Sequence, residues 1–272
     1  MMLRSMYSGV SGMRGFQTKL DVIGNNIANV NTVGFKAGRV MFQDILSQTV
    51  AGATQPEDGA RGGKNAQQIG LGVTVASIDT VHTAGSAMTT NVPTDLRIDG
   101  DGFFAVRPAG MEDGFYLTRA GNFSVDAAGQ LVNADGALVL SSDGEPISLA
   151  GVSAFTIGKD GSVTGVNADG TTGDVIATIG VVKVTNPNGL EKIGGNLYRS
   201  TVNSNAEELA IGAPGDPETG TGNIVAGQLE MSNVDLTSEF TEMIVAQRGF
   251  QANSRIITTS DEILQELVNL KR

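Results

Sequence analysis

Eight Asp-Gly dipeptides begin at Asp58, Asp99, Asp101, Asp113, Asp135, Asp143, Asp160 and Asp169. Carboxylates beside glycine turns are one way a loop holds calcium, but the spacing argues against it: the twelfth position counted from Asp99 is Gly110, where an EF-hand places a bidentate Glu, and no G-G-x-G-x-D array repeats. Asp-Gly between β-rich stretches is instead the short-hairpin signal. Gly62, Gly63 and Lys64 resemble the end of a phosphate-binding loop, yet Asn65 stands where Ser or Thr would hold magnesium. His82, the single histidine, could act as a general base or lone ligand, but no G-x-S-x-G nucleophile elbow accompanies it, and the surface or a strand is its expected place. The pairs Glu112/Asp113, Glu207/Glu208 and Asp261/Glu262 are adjacent in sequence, so on regular structure they diverge and read as solvated faces. With no cysteine there is no thiol nucleophile, disulfide or Cys-ligated metal. No catalytic residue, cofactor site or metal site is expected, although a site assembled at long range stays open as a rival.

The elements that would carry these residues follow from composition and period. Glycine supplies 37 of 272 residues, charged residues 17% and hydrophobic residues 40%, a turn-rich but not disordered chain. The net charge of −11 sits centrally: residues 51–230 carry 21 acidic and nine basic side chains, whereas 1–50 carry two and five. No basic stripe suggests nucleic acid, and no apolar run reaches the 18 or so residues of a membrane span or the form of a cleavable leader, which by default predicts a cytoplasmic protein.

Both ends read as helices. Leu3, Met6, Val10, Met13, Phe16, Leu20, Ile23, Ile27 and Val30 recur at steps of three and four, and Leu236, Phe240, Met243, Phe250, Ile257, Leu264 and Val268 follow a heptad-like seam interrupted by Gln247, Ser254 and Asp261. Asp235 is placed to cap the second helix, Glu239 lies in its first turn, and Lys271 and Arg272 meet its negative end. Gly9, Gly12, Gly15 and Gly249 are assigned to outer faces. With few charge pairs four residues apart, such helices need partners. They could pack on the central region as ordinary surface helices, but the polar seam fits a multi-helix assembly better.

The run NNIANVNTVGFK, Asn25 to Lys36, stops the first helix, with Gly34 free to take positive φ and Phe35 anchoring the exit. Val40 to Val50 reads as a short amphipathic piece and residues 51–68 as a loop or arm. From about 71 to 230 the period becomes two, which predicts a sandwich- or barrel-like β domain.

The stretches SGVSGMRGFQTKLDVIGNNIANVNTVGFK and MSNVDLTSEFTEMIVAQRGFQANSRIITTSDEILQELVNLKR closely resemble the flagellar rod and hook axial proteins of bacteria, as do the central DLRIDGDGFFAV, YLTRAGNFSVDAAGQLVNADG and LEKIGGNLYRST. The resemblance spans nearly the whole chain. It implies a structural polymer in which paired terminal helices form an inner tube and the β domain lies outside. It also implies leaderless export through the flagellar type III apparatus, reversing the cytoplasmic default for a place in the hook or basal body outside the cytoplasmic membrane. Within the family, DVIGNNIANVNTVGFK and EMIVAQRGFQAN look most like the hook member, which passes motor torque to the filament; the distal rod, a stiff drive shaft, is the alternative.

The expected fold is therefore α+β, with long terminal helices pairing as a coiled-coil-like rod and a central all-β domain inserted between them. The expected segments are 1–34 (helical, assembly), 35–70 (connecting), 71–230 (β-rich) and 231–272 (helical, assembly). The expected assembly interface is Leu3, Met6, Val10, Met13, Leu20, Ile23, Ile27, Phe240, Met243, Phe250, Ile257 and Leu264, and the family motif is Asn25, Asn26, Asn29, Gly34, Phe35 and Lys36. Implied partners are further copies of the chain, other axial proteins (distal rod, hook cap, hook–filament junction) and the export apparatus, with neither nucleic acid nor membrane insertion. A secreted calcium-binding β protein is the lesser alternative.

Overall fold

The computed structural model describes residues 2–56, 62–111, 114–150, 152, 154–166, 172–205, 209–217 and 219–270. The turns at Asp58 and Asp169, the pairs Glu112/Asp113 and Glu207/Glu208, Lys271 and Arg272 lie outside these residues in whole or part, as does the Leu3 side chain. The chain forms two compact units, one of residues 1–28, 38–80 and 235–272, the other of 29–37 and 81–234. This division differs from the four-segment expectation in giving residues 38–80 to the helices.

In the helical unit, α1 (Met2–Ala28) and α2 (Leu236–Asn269) run antiparallel. Lys19 pairs with Glu242 at 2.9 Å, while Gly9 and Gly12 lie against Asn253 further along α2. Asp235 caps α2 by accepting from the Thr237 N–H at 3.1 Å, as expected, and Glu239 accepts from Asn26 Nδ2 at 3.0 Å. Burial raises the Glu239 pKa against the opposing effect of that hydrogen bond.

The seam differs from the sequence reading. Ala246 and Ser260 are the buried residues of α2, flanked by half-buried Met243, Asn253, Ile257 and Leu264, whereas Phe240 and Phe250 face outward. Of the glycines assigned to outer faces, Gly9, Gly12 and Gly249 lie inside it, and Gly15 lies against the Phe42 ring. A Cβ on Gly249 would stand 2.6 Å from Phe16 Cζ, so the ring of one helix fills the notch left by the missing side chain of the other. Notches at Gly249 and Gly12 and small residues at 246 and 260 allow the close approach that a seam of large apolar residues forbids. The covered positions keep a three-and-four spacing, with Ala246, Asn253 and Ser260 interleaved among Met243, Ile257 and Leu264.

Residues 40–50 form strands, not an amphipathic piece, while the described residues between Ala51 and Gln67 are loop apart from one bridge between Thr54 and Lys64. Strands Gly38–Asp44 and Val73–Thr80 pair antiparallel, and Ser47–Ala51 with Gln67–Gly70 continue the ribbon. Phe42 packs near Phe16 of α1, with ring centroids 6.0 Å apart. No helix among the described residues is long and apolar enough to cross a membrane.

The second unit is β-rich. Its main sheet has the order 191–194, 197–199, 116–118, 103–107, 138–139, 131–132, 124–125, with 181–182 also pairing onto 103–104. The strand Phe103–Arg107 is buried on both faces. Phe104 and Val106 enter a core with Leu96, Leu131, Val139 and Ile179, while Phe103 and Ala105 enter a second with Leu117, Leu140 and Tyr198. The sheet order has two ends, so among the described residues it does not close into a barrel.

The Asp-Gly signal marks turns, but of the longer kind. At 126–130, 133–137, 141–145 and 158–162 the first N–H bonds to the carbonyl four residues on, at 2.8–2.9 Å, and the fourth residue is a glycine whose N–H bonds back to the first carbonyl. Those glycines have φ of 72–81°, the bulge position of a turn that demands the left-handed region. Asp126 and Asn133 direct their side-chain oxygens at two backbone N–H groups each, which uses the Asp126 carboxylate for folding.

Candidate functional site

The expected interface residues divide by exposure. Ile23 is buried; Met6, Val10, Met13, Leu20, Ile27, Met243, Ile257 and Leu264 are half-buried; Phe240 and Phe250 are exposed. On α2 the exposed set extends to Ile244, Val245, Ile256, Ile263 and Leu267, none of which the sequence reading singled out, and to Val268, which it had placed in the seam. Inside the helical unit, Asn26 is satisfied on every side: its Oδ1 accepts from Gly38 N at 2.9 Å, and its Nδ2 donates to Gly38 O at 2.8 Å and to Glu239. The ribbon and α2 are thereby tied to the end of α1. Asn25 is exposed and Asn29 half-buried on the turn that follows.

The remaining motif residues belong to the β-rich unit, where 29–37 crosses as a strap. Gly34 has φ +68°, and its Cβ would fall 2.5 Å from the Ala120 nitrogen, so neither the dihedral nor the space admits a side chain. Its N–H donates to the Glu230 carbonyl at 2.8 Å. Phe35 is buried beneath the Lys192 ammonium, 4.6 Å from the ring centroid.

Lys36 is fully buried (0% exposed). Its Nζ donates to the Glu230 carboxylate and, at 2.8 Å, to the Thr83 carbonyl. Glu230, itself 1% exposed, also accepts from Arg119 at 3.3 Å and from Gly85 N at 3.0 Å. Arg119, 5% exposed, reaches the Gly100 carbonyl at 2.9 Å and lies over the Phe103 ring. Burial lowers the pKa of both cations, and Glu230 opposes that shift. Asn233 completes the seat by accepting from Ala37 N and donating to Val81 O, both at 2.8 Å.

His82 stands beside this cluster, half-buried between the Phe103 and Tyr198 rings at 5.7 Å. Its pKa is pushed down to about 4, first by burial and then by the charges of Lys36, Lys192 and Arg119. Among the described residues no carboxylate orients its ring, so the arrangement offers a neutral packed imidazole in place of a base and nucleophile. What the cluster can do is join chain segments. The sequence pointed to Gly34, Phe35 and Lys36 but missed Glu230, Arg119, Asn233 and Asn196, which donates to the Val33 carbonyl at 2.9 Å. The one available signal was Glu230, a charge set between Leu229 and Met231 in a short strand.

Three family models match in chain order: flagella basal body rod protein over 6–36, flagellar hook protein FlgE/F/G D1 domain over 97–171, and flagellar basal body rod FlgEFG protein C-terminal over 225–270. The flagellar basal-body rod protein FlgG of Bacillus subtilis is 57% identical over 273 residues, covering 100% of both chains. That of Caulobacter vibrioides is 39% identical, over 99% of this chain and 100% of the relative. The flagellar hook protein FlgE of Borreliella burgdorferi is 30% identical in an alignment of 451 residues, over 99% of this chain and 100% of the relative. The chain belongs to the family of flagellar rod and hook axial proteins.

Proposed function

We propose that the protein is the distal rod subunit of a bacterial flagellum, a structural element of the basal body that polymerises with further copies of itself. The observation that carries this reading is the 57% identity to a basal-body rod protein at equal length, whereas the full-length hook match stretches across 451 aligned positions. A rod subunit therefore replaces the hook expectation drawn from the terminal motifs. In this reading the exposed face of α2, with Phe240, Phe250 and Leu267, packs against helices of neighbouring copies, and the half-buried stripe of α1 from Met6 to Ile27 contributes beside it. Export by the flagellar type III apparatus and contact with hook and other axial proteins belong to the same proposal.

The hook stays as the second reading because the hook protein FlgE of Treponema pallidum is 54% identical over 132 residues, 48% of this chain. Imaging basal bodies from a strain lacking the gene separates the two. Truncated rods support the rod subunit, and complete rods without hooks support the hook.

A further inference from the structure

Three ionised groups are buried together in the β-rich unit, and their charges do not balance locally. Lys36 and Arg119 are cations and Glu230 is the single carboxylate that both contact. Lys192 adds a third positive charge, its Nζ donating to the Lys36 carbonyl at 3.0 Å. The other partners of Lys36 and Arg119 are the carbonyls of Thr83 and Gly100, which supply dipoles but no charge. Asp101 acts on Arg119 only at longer range and is exposed; Tyr198 and His82 are the remaining titratable groups facing the cluster. Without Glu230, seating the strap would press a buried ammonium beside a buried guanidinium with no counter-ion.

Glu230 also holds the strap by its main chain, through Gly34 N to Glu230 O, and three residues later Asn233 takes the Ala37 N–H. Lys36 and Glu230 are 194 residues apart. The two cores, by contrast, draw on residues from 96 to 224 and need neither the strap nor Glu230.

We infer that residues 29–37 form a late-closing strap whose seat is completed by Glu230, so that the β-rich unit builds its cores first and locks the strap only when the last part of its own chain is in place. A chain still lacking residues 228–233 would keep Lys36 in water and the strap open. The device concerns order of folding and stands independently of whether the subunit belongs to rod or hook.

Pulse-labelled hydrogen exchange during refolding of the full chain tests the order. The amides of Gly34 and Ala37 should gain protection in the same phase as 228–233 and after those of 103–107 and 117–119. Protection of the strap before, or together with, those core strands overturns the inference. At equilibrium, Glu230→Gln should raise strap exchange by about tenfold while leaving the core strands unchanged. Should that variant lose the whole unit, the double variant Lys36→Met/Glu230→Gln, which removes the strap's own buried charge, should restore strap protection to within about threefold of the parent. A double variant as loose as the single one refutes the charge argument.

Discussion

Phe240, Ile244, Val245 and Val268 of the helical unit stand 50–65% exposed, while Phe104, Leu117, Val139 and Val181 of the β-rich unit are at 0%. The same kinds of side chain are spent in opposite ways. In the β-rich unit they fill two cores on the faces of one sheet, and even its ions are enclosed. In the helical unit the contact between α1 and α2 mixes glycine, alanine, serine and asparagine with Phe16, Ile23 and half-buried Met243, Ile257 and Leu264, and many large apolar residues of α2 stay outside. A helix pair that leaves this much apolar surface outside gains less from hydrophobic burial within one chain. The β-rich unit has no such debt.

The largest expected effect tests the self-sufficient side. Phe104→Ala removes a fully buried ring packed edge-on to Phe123 at 5.2 Å and should cost about 3–5 kcal/mol, read as a lowered urea midpoint for the β-rich unit. An unchanged midpoint would mean that the sheet faces do not carry the unit's stability.

Acid provides a second, somewhat smaller contrast, because the single histidine lies in the β-rich unit. The unfolded His82 takes up a proton near pH 6.5, whereas the folded one does so only near 4, so the unfolded state binds more protons between these values. Stability of the β-rich unit should therefore fall as the pH drops from about 7 towards 4, by at most about 3 kcal/mol, and this contribution should level off below. His82→Phe keeps the ring packing and should flatten the pH 7 to 5 part of the profile. A profile identical to the parent's would show that other groups set the acid response.

Some of this architecture was legible in sequence and some was not, for reasons of range. The end of α1 after Asn25–Ala28, the Asp235 cap and the glycine-marked turns depend on neighbours within about four residues, and local residue types specify them. The ribbon strands Gly38–Asp44, Ser47–Ala51 and Gln67–Gly70 escaped because they are exposed and lack a clean alternation, whereas Val73–Thr80 fell in the expected period-two region. The seam register was largely right: Met243, Ile257 and Leu264 were placed and Ser254 is half-buried beside Asn253, but Ala246 and Ser260 are covered where Gln247 and Asp261 were expected. Hydrophobicity finds the large residues of this seam and passes over the small ones between them. The Lys36–Glu230 pair joins residues that no periodicity connects.

The helical unit can be probed with a pair of glycines. Gly249→Ala puts a Cβ 2.6 Å from the Phe16 ring, and the clash should outweigh the gain in helix propensity, for a net loss of about 1 kcal/mol. Gly24→Ala meets nothing within 4 Å and should gain about 0.5–1 kcal/mol from propensity alone. Thermal melts followed by circular dichroism at 222 nm distinguish the two. If both substitutions stabilise, the notch at Gly249 is not a tight contact.

The smallest effect on the isolated chain should come from Phe250→Asp, and it decides what the outer face is for. Phe250 is 37% exposed beside the notch at Gly249, so in a single chain its replacement removes modest burial and leaves the new carboxylate access to water. Both units should melt within about 0.5 kcal/mol of the parent. In a polymer, helices of other copies would cover that position, and an unpaired carboxylate there would cost several kcal/mol, roughly, if it stayed charged and buried. The expected result is a folded, soluble subunit that fails to assemble and a strain that does not swim. Unfolding of the helical unit in the isolated variant would place Phe250 in an intrachain core. Normal motility would show that neighbouring copies cover some other face of α2, leaving the contrast between the two units intact but the assembly surface misassigned.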